Sequence, residues 1–438
     1  MQKQLPVVRE GEAPLEPPIA CEMRLGRSLA LPFVSACVLR HATQRNSTER
    51  QRVTTSQQAI QNLYESPWQI ALCLTGGGSR IASDLLTVPG ASSTLLDVAI
   101  PYSSGSLTEY LGKVHDQYCS RETALRMATV AWQRALQFSE STKNDAVRCL
   151  GVSCTASLAS SKPKRGEHRI WIATESASSS RVVSLILRKG LRTRLAEEAV
   201  AAELLLYAIN DGCGLTPPAL PSLNVDETVS IEFETVDPVI AQLRSGDRAV
   251  AWALPGGSVS ATISQPPRGL LPGSFNPIHI GHHKLRTVAD DLIGGPVHFE
   301  LSLVNADKPP LNCFEIEQRR HQFDDVPLAL TAASLFVDKA RLFPGAIFVI
   351  GYDTAVRILD PRFYQDSQQN LQTSLEAVGS LGCSFLVAGR LTESGFQSIN
   401  DLPVPTEFQD LFQSIPEDRF REDVSSSGIR NAANAKLG

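Results

Sequence analysis

The sequence predicts an α/β protein of two modules, the second built on a doubly wound parallel sheet. Three observations carry this reading. Gly269-Leu270-Leu271 is a short apolar run that leads into a turn of Gly, Ser, Asn and Pro, after which apolar residues recur at helical spacing. The same order of strand, Gly-rich turn and helix occurs earlier, from Trp68-Gln69-Ile70 through Gly76-Gly77-Gly78 to Ile81, Leu85 and Leu86. A chain of 438 residues is also longer than one core usually serves.

Residues 1–56 form a poorly defined N-terminal segment. Its start is rich in Pro and Glu and reads as disordered. The apolar run from Leu29 to Leu39 follows Arg24 and Arg27. It lies too far inside the chain for a signal peptide and is shorter than the roughly 20 residues of a membrane span. It reads as a short packed segment, or as a sign that the true chain starts further upstream. Residues 57–214 make the first module. In residues 215–267, the run Leu215-Thr216-Pro217-Pro218-Ala219-Leu220-Pro221 reads as a linker. Two strand-like runs, Thr228 to Glu234 and Ala249 to Leu254, make a small β connector able to pack on either module.

Residues 268–438 make the second module. Leu285, Val288, Ala289 and Leu292 share a helix face, and Gly294-Gly295-Pro296 ends that helix. Val297, Phe299, Leu301 and Leu303 then alternate with His298, Glu300 and Ser302, as in a strand. Strand and helix in alternation argue a parallel sheet with ligands at the carboxyl ends of its strands. At such an end stand Gly273-Ser274-Phe275-Asn276-Pro277-Ile278-His279-Ile280-Gly281-His282. Amides at a helix start attract anions, and two imidazoles there can donate to phosphate oxygens. A bare His-x-x-His pair is also compatible with a metal site or with ordinary helix-start histidines, but zinc would want a further protein ligand, and the sequence identifies none.

This run resembles the HxGH signature of the nucleotidylyltransferase superfamily, and is most similar to nicotinamide and nicotinate mononucleotide adenylyltransferases. Further blocks resemble the family in order: Ile347 to Asp353, a strand ending in Gly-x-Asp; Phe385 to Arg390, a strand ending in Gly-Arg; and Val424 to Arg430, similar to a Ser-Ser-Thr-x-Ile-Arg block. The resemblance runs from about Arg268 to the C-terminus. It implies a Rossmann-like fold and transfer of AMP from ATP to a pyridine mononucleotide in NAD synthesis or salvage, with Mg²⁺ on the phosphates. It implies His279 and His282 as catalytic residues, and Gly273, Ser274, Phe275, Asn276, Gly281, Ser426, Ser427 and Arg430 as the ATP side. It implies Asp353, Lys308, Arg319 and Phe363 at the acceptor, with Phe363 in the region where the family stacks a Trp. Lys284 on the helix face reads equally as a phosphate contact or a solvated lysine. Other readings are a cytidylyl or pantetheine-phosphate transferase, or a non-catalytic nucleotide sensor or scaffold.

In the first module the order Thr75-Gly76-Gly77, helix, Pro89-Gly90-Ala91-Ser92, Tyr102-Ser103 resembles the CinA C-terminal domain, over about Gln58 to Asn210. Better-known members of that family deamidate nicotinamide mononucleotide. Here Cys73 stands where the family has its nucleophilic Ser, and Leu107 stands where it has a Lys. Cys73, Thr75 and Tyr102 therefore read as a vestigial deamidase site, with His115, Lys164 or His168 as substitute activators of the thiol.

A net charge of −5 without a dense basic stripe argues against nucleic acid as the main partner. Nine cysteines without metal spacing suit reduced thiols in the cytoplasm. Small nucleotides as ligands, no membrane attachment and a homo-oligomer complete the expectation.

Overall fold

The computed structural model describes residues 55–422 except 113–116, 140–147, 163, 305–308, 324 and 393–394. The apolar run Leu29–Leu39, Lys308, His115 and the block with Ser426, Ser427 and Arg430 lie outside the described residues.

The first module opens with a helix over residues 55–64 (α1). It continues through β1 (Trp68–Thr75), α2 (Arg80–Leu86), β2 (Leu95–Ala99), α3 (Ser104–Leu111) and α4 (Arg121–Phe138). Then follow β3 (Arg148–Ser157), β4 (His168–Glu175), β5 (Ser179–Leu187), α5 (Arg194–Gly212) and β6 (Val229–Thr235). The sheet order is β2-β1-β3-β4-β5-β6. Strands β2, β1 and β3 are parallel, and β3 to β6 are antiparallel neighbours. Strand alternation splits β1 between two layers. Ile70, Leu72 and Leu74 pack with α1, α2 and α5, whereas Ala71 and Cys73 pack with Leu107, Leu111 and Met127 of α3 and α4.

The chain then passes through α6 (Pro238–Ser245), β7 (Val250–Ala253) and β8 (Val259–Ser260). The stretch read as one connector is divided: β6 adds to the first sheet, while β7 and β8 add to the second.

The second module comprises β9 (Gly269–Pro272), α7 (Ile280–Ile293), β10 (Val297–Ser302), α8 (Cys313–Arg320), β11 (Leu328–Thr331) and α9 (Phe336–Leu342). After these come β12 (Ile347–Gly351), α10 (Tyr352–Ile358), α11 (Gln368–Ser380), β13 (Ser384–Ala388), the small hairpin β14 (Arg390–Thr392) and β15 (Gly395–Gln397), and β16 (Phe412–Ile415). The sheet order is β16-β13-β12-β9-β10-β11-β7-β8, with β9 to β13 and β16 all parallel and β7 antiparallel to β11. Numbering the six parallel strands along the chain gives the order 3-2-1-4-5-6 of doubly wound sheets. The order reverses at β9, so the crevice falls beside its carboxyl end, where the Gly273–His282 run begins.

The predicted α7 forms and stops at Gly294, which takes the left-handed conformation expected of a C-cap glycine. The predicted β10 forms, and although its sequence alternates, every residue from Val297 to Leu301 is buried. Both faces of this central parallel strand are covered, and Glu300 and Ser302 find partners inside.

Candidate active site

The turn after β9 is built from within. Phe275 is wholly buried, at a φ of 42°, and its ring meets His282, Phe299 and Phe323 edge-on at 5.1–5.3 Å. The expectation that Phe275 faces nucleotide is corrected for its side chain: the ring is a core wedge that supports His282. Burying such a ring contributes about 1.5–3 kcal/mol. Two further bonds hold the turn. The Gly273 amide donates to the Glu300 carbonyl at 2.9 Å. Gln322 clamps the loop from the other side, its Nε2 donating to the Phe275 carbonyl at 3.0 Å and its Oε1 accepting from the Ile278 amide at 2.9 Å.

The two histidines lie ring against ring, with centroids 3.8 Å apart. His282 Nδ1 accepts from the His279 backbone N–H at 3.2 Å. In the neutral ring this leaves the proton on Nε2, a donor. Burial first, then the neighbouring His279 and His283, pushes His282 down to about 4, so the ring is uncharged at neutral pH. Burial also lowers His279. Gly281 eases the pairing: a Cβ there would stand 3.1 Å from His279 Nδ1, a few tenths of an ångström too close. Lys284 forms an ion pair with Glu422.

A cavity of about 480 Å³ lies beside this turn. Gly273, Ser274 and Asn276 line it, as do the predicted acceptor residues Arg319 and Phe363. His279, His282 and Asp353 are not among its lining residues. Asp353 sits in the first turn of α10 and forms an ion pair with Arg390, the arginine of the predicted Gly-Arg block. Arg319 has Glu315 at 3.8 Å.

Several lining residues escape sequence reasoning. Glu300, on β10, accepts at 2.7 Å from Lys339 of α9 with both carboxylate oxygens, and Thr331 donates to it at 2.5 Å. Lys339 and Glu300 are buried and face the cavity wall. In sequence Glu300 looks like a solvent-facing position of an alternating strand and Lys339 like an ordinary helix charge. Arg357 stacks on Phe363, with its guanidinium carbon 4.8 Å from the ring centroid. Arg126 and Thr129 reach the same cavity from α4 of the first module.

The two modules are joined by a buried polar node. Arg244 of α6 pairs with Glu175 of β4 and donates to the Ser176 and Ala177 carbonyls at 2.6 and 2.9 Å. Ser180 donates to Glu175 at 2.5 Å and accepts from the Cys313 amide at 2.8 Å, where α8 begins. Burial pushes the Glu175 carboxyl up against the opposing pull of Arg244.

The vestigial site looks different. Cys73 is wholly buried, and desolvation pushes its thiol up to about 12. Thr75 donates to the Pro101 carbonyl at 3.0 Å, while Tyr102 is exposed. Of the substitute activators, Lys164 holds the Leu158 carbonyl at 3.0 Å and His168 meets Glu197 at 2.7 Å.

A six-stranded parallel core with a His-x-Gly-His helix start at its switch point defines a doubly wound α/β architecture. No protein-family profile matches the chain. Over 157 residues the chain is 29% identical to the "Putative nicotinamide mononucleotide adenylyltransferase" of Schizosaccharomyces pombe. That match covers 32% of this chain and 62% of the relative, so the chain spans less than two thirds of that relative's length. Among solved structures it is similar to the competence/damage inducible protein CihA of Agrobacterium tumefaciens, at 21% identity over 36% of this chain and 94% of that one, with a TM-score of 0.27. It is likewise similar to a competence or damage-inducible protein of Enterobacter asburiae, at 13% identity over 35% and 93%, with a TM-score of 0.25. Among the described residues no helix is long and apolar enough to cross a membrane, and no group of three or more His, Cys, Asp or Glu gathers as a metal site.

Proposed function

We propose that this protein transfers AMP from ATP to a pyridine mononucleotide, releasing pyrophosphate, as a step of NAD synthesis or salvage. The observation that carries the proposal is the His279–His282 helix start at the sheet's switch point, beside a cavity that collects Gly273, Ser274, Asn276, Arg319 and Phe363. The similarity to a relative named for this activity supports it.

In this reading a phosphate oxygen of the acceptor attacks the α-phosphorus of ATP. The bond to the bridging oxygen breaks, and the electron pair leaves with pyrophosphate. No proton needs to move, so the protein's task is alignment and charge stabilisation. The Nε2–H of a neutral His282 donates to a non-bridging oxygen as charge grows, and His279 assists at the bridging oxygen. The Gly273 and Ser274 backbone stands against the phosphates. Ser426, Ser427 and Arg430 are assigned to the β- and γ-phosphates and Lys308 to the acceptor. Magnesium, entering with ATP, would neutralise charge on the phosphates with few protein ligands of its own. Phe363, backed by Arg357, offers a ring face to the acceptor base.

The test is pyrophosphate release by purified protein with ATP and Mg²⁺, comparing nicotinamide mononucleotide, nicotinate mononucleotide and no acceptor. Acceptor-dependent release supports the proposal; ATP binding without release under any of the three conditions overturns it. That second outcome would favour the sensor reading, which the buried Cys73 of the first module also suits.

A further inference from the structure

The first module is more than a neighbour of the candidate site. Helix α4 packs on the start of α8: Phe314 joins the apolar cluster of Ala124, Leu125 and Ala128, and Arg121 lies over the Phe314 ring at 4.6 Å. The Arg244–Glu175 node ties the same helix start to the first sheet. A residue on α4 that reaches the cavity is therefore held on a rigid, doubly anchored element rather than on a loop.

Arg126 is that residue. Its Nε donates to Glu122 at 3.2 Å, but this carboxylate is 70% exposed. An exposed i,i+4 pair of this kind holds an arginine only weakly. Among the described residues its terminal guanidinium nitrogens have no protein acceptor. Elsewhere on the wall Lys339 is neutralised by Glu300, and Arg319 has Glu315 beside it. The fork of a guanidinium matches phosphate or carboxylate, and both are groups that a pyridine mononucleotide can carry. The helix start that suits the ATP phosphates presents His279 and His282, which do not line this cavity. The cavity meets the ATP side only at Gly273, Ser274 and Asn276, and its further wall carries the acceptor-side residues Arg319 and Phe363, where Arg126 stands.

We propose that the first module completes the acceptor site, and that Arg126 binds an anionic group of the acceptor, either its phosphate or a carboxylate on its ring. This rests on the adenylyl-transfer reading above. It gives the fused module a binding role that the buried Cys73 does not supply.

The experiment is steady-state kinetics of the full-length protein with Arg126→Ala and Arg126→Lys, varying ATP and each acceptor mononucleotide in turn. Arg126→Ala should raise KM for the acceptor by about tenfold to a hundredfold, as for a lost charge-assisted hydrogen bond, with the KM for ATP within twofold. Arg126→Lys should fall between wild type and Ala. Equal losses with nicotinamide and nicotinate mononucleotide point to the phosphate, and a loss confined to the nicotinate form points to the ring carboxylate. Unchanged acceptor KM in Arg126→Ala, at wild-type Tm, overturns the inference while adenylyl transfer stands. So does an equal rise in KM for ATP. A wild-type protein without acceptor-dependent release overturns both.

Discussion

Two turns in this molecule occupy matching places, each at the carboxyl end of a central parallel strand, and they have opposite fates. After β9, the backbone of Gly273, Ser274 and Asn276 opens onto a cavity. After β1, the turn packs closely on the neighbouring strand. Gly76 has a φ of +72°, and a Cβ there would come within 2.0 Å of the Ala156 carbonyl oxygen. Ala156 and Leu158 lie against the face of Gly76 and Gly77 that a side chain would occupy. Cys73 below it is sealed. A motif fixes the backbone path of a turn, but the neighbouring strands and helices decide whether that turn meets solvent.

The largest test of the contrast is at the floor of the open site. Lys339→Met should destabilise the protein by about 3–5 kcal/mol, because it strands the Glu300 carboxylate in the interior. Chemical denaturation checks this. The double variant Glu300→Gln/Lys339→Met should recover much of the loss, since no buried charge then lacks a partner. If the single variant is as stable as wild type, the open site does not rest on this pair.

Next is the turn itself. His282→Ala should lower turnover about 10²-fold or more with the fold intact, as for other lost charge-stabilising donors. The same residue gives a pH signature. Its pKa in the folded chain is about 4, below the ordinary 6.5. Between these values the unfolded chain takes a proton that the native chain refuses, so this group makes stability fall as pH drops from 6.5 towards 4. Above 6.5 it contributes no slope. NMR titration of the ring in the ligand-free protein checks it, and a midpoint near 6.5 would show that the ring is solvated. Gly281→Ala probes the same geometry more gently, since the added methyl presses on His279 Nδ1 from 3.1 Å. Turnover should drop with little change in Tm.

The open site was legible to a definite depth. The strand–turn–helix around Gly273–His282 and the helix stop at Gly294 follow from local pattern, whereas the expectation of Arg319 and Phe363 near one crevice came from the family resemblance. What escaped is what depends on long-range packing. Glu300 and Lys339 are 39 residues apart in sequence and meet only because β10 and α9 do. Arg126 is 147 positions before Gly273, on the other sheet's helix, and no spacing rule links them. Phe275 was placed on the ATP side by the family resemblance; its backbone is left-handed and its ring is buried in the core instead. Asp353 was legible as an acid at a strand end, but its ion pair with Arg390 needs the fold.

The smallest expected effect lies at the closed turn, and there a near-zero result is informative. Cys73 faces Leu107, Leu111 and Met127, and the nearby arginine, Arg134, is already bonded to Asp97 at 2.6 Å. With its thiol pushed up to about 12, almost none is thiolate at neutral pH. Cys73→Ala should therefore leave adenylyl transfer unchanged and cost about 1 kcal/mol of stability through the lost sulfur. Mass spectrometry after brief alkylation should find Cys73 unmodified in the native protein and modified after denaturation. Rapid native labelling of Cys73, together with amide release from nicotinamide mononucleotide that Cys73→Ala abolishes, would mean that this turn opens too. The difference between the two halves would then be one of dynamics rather than of packing.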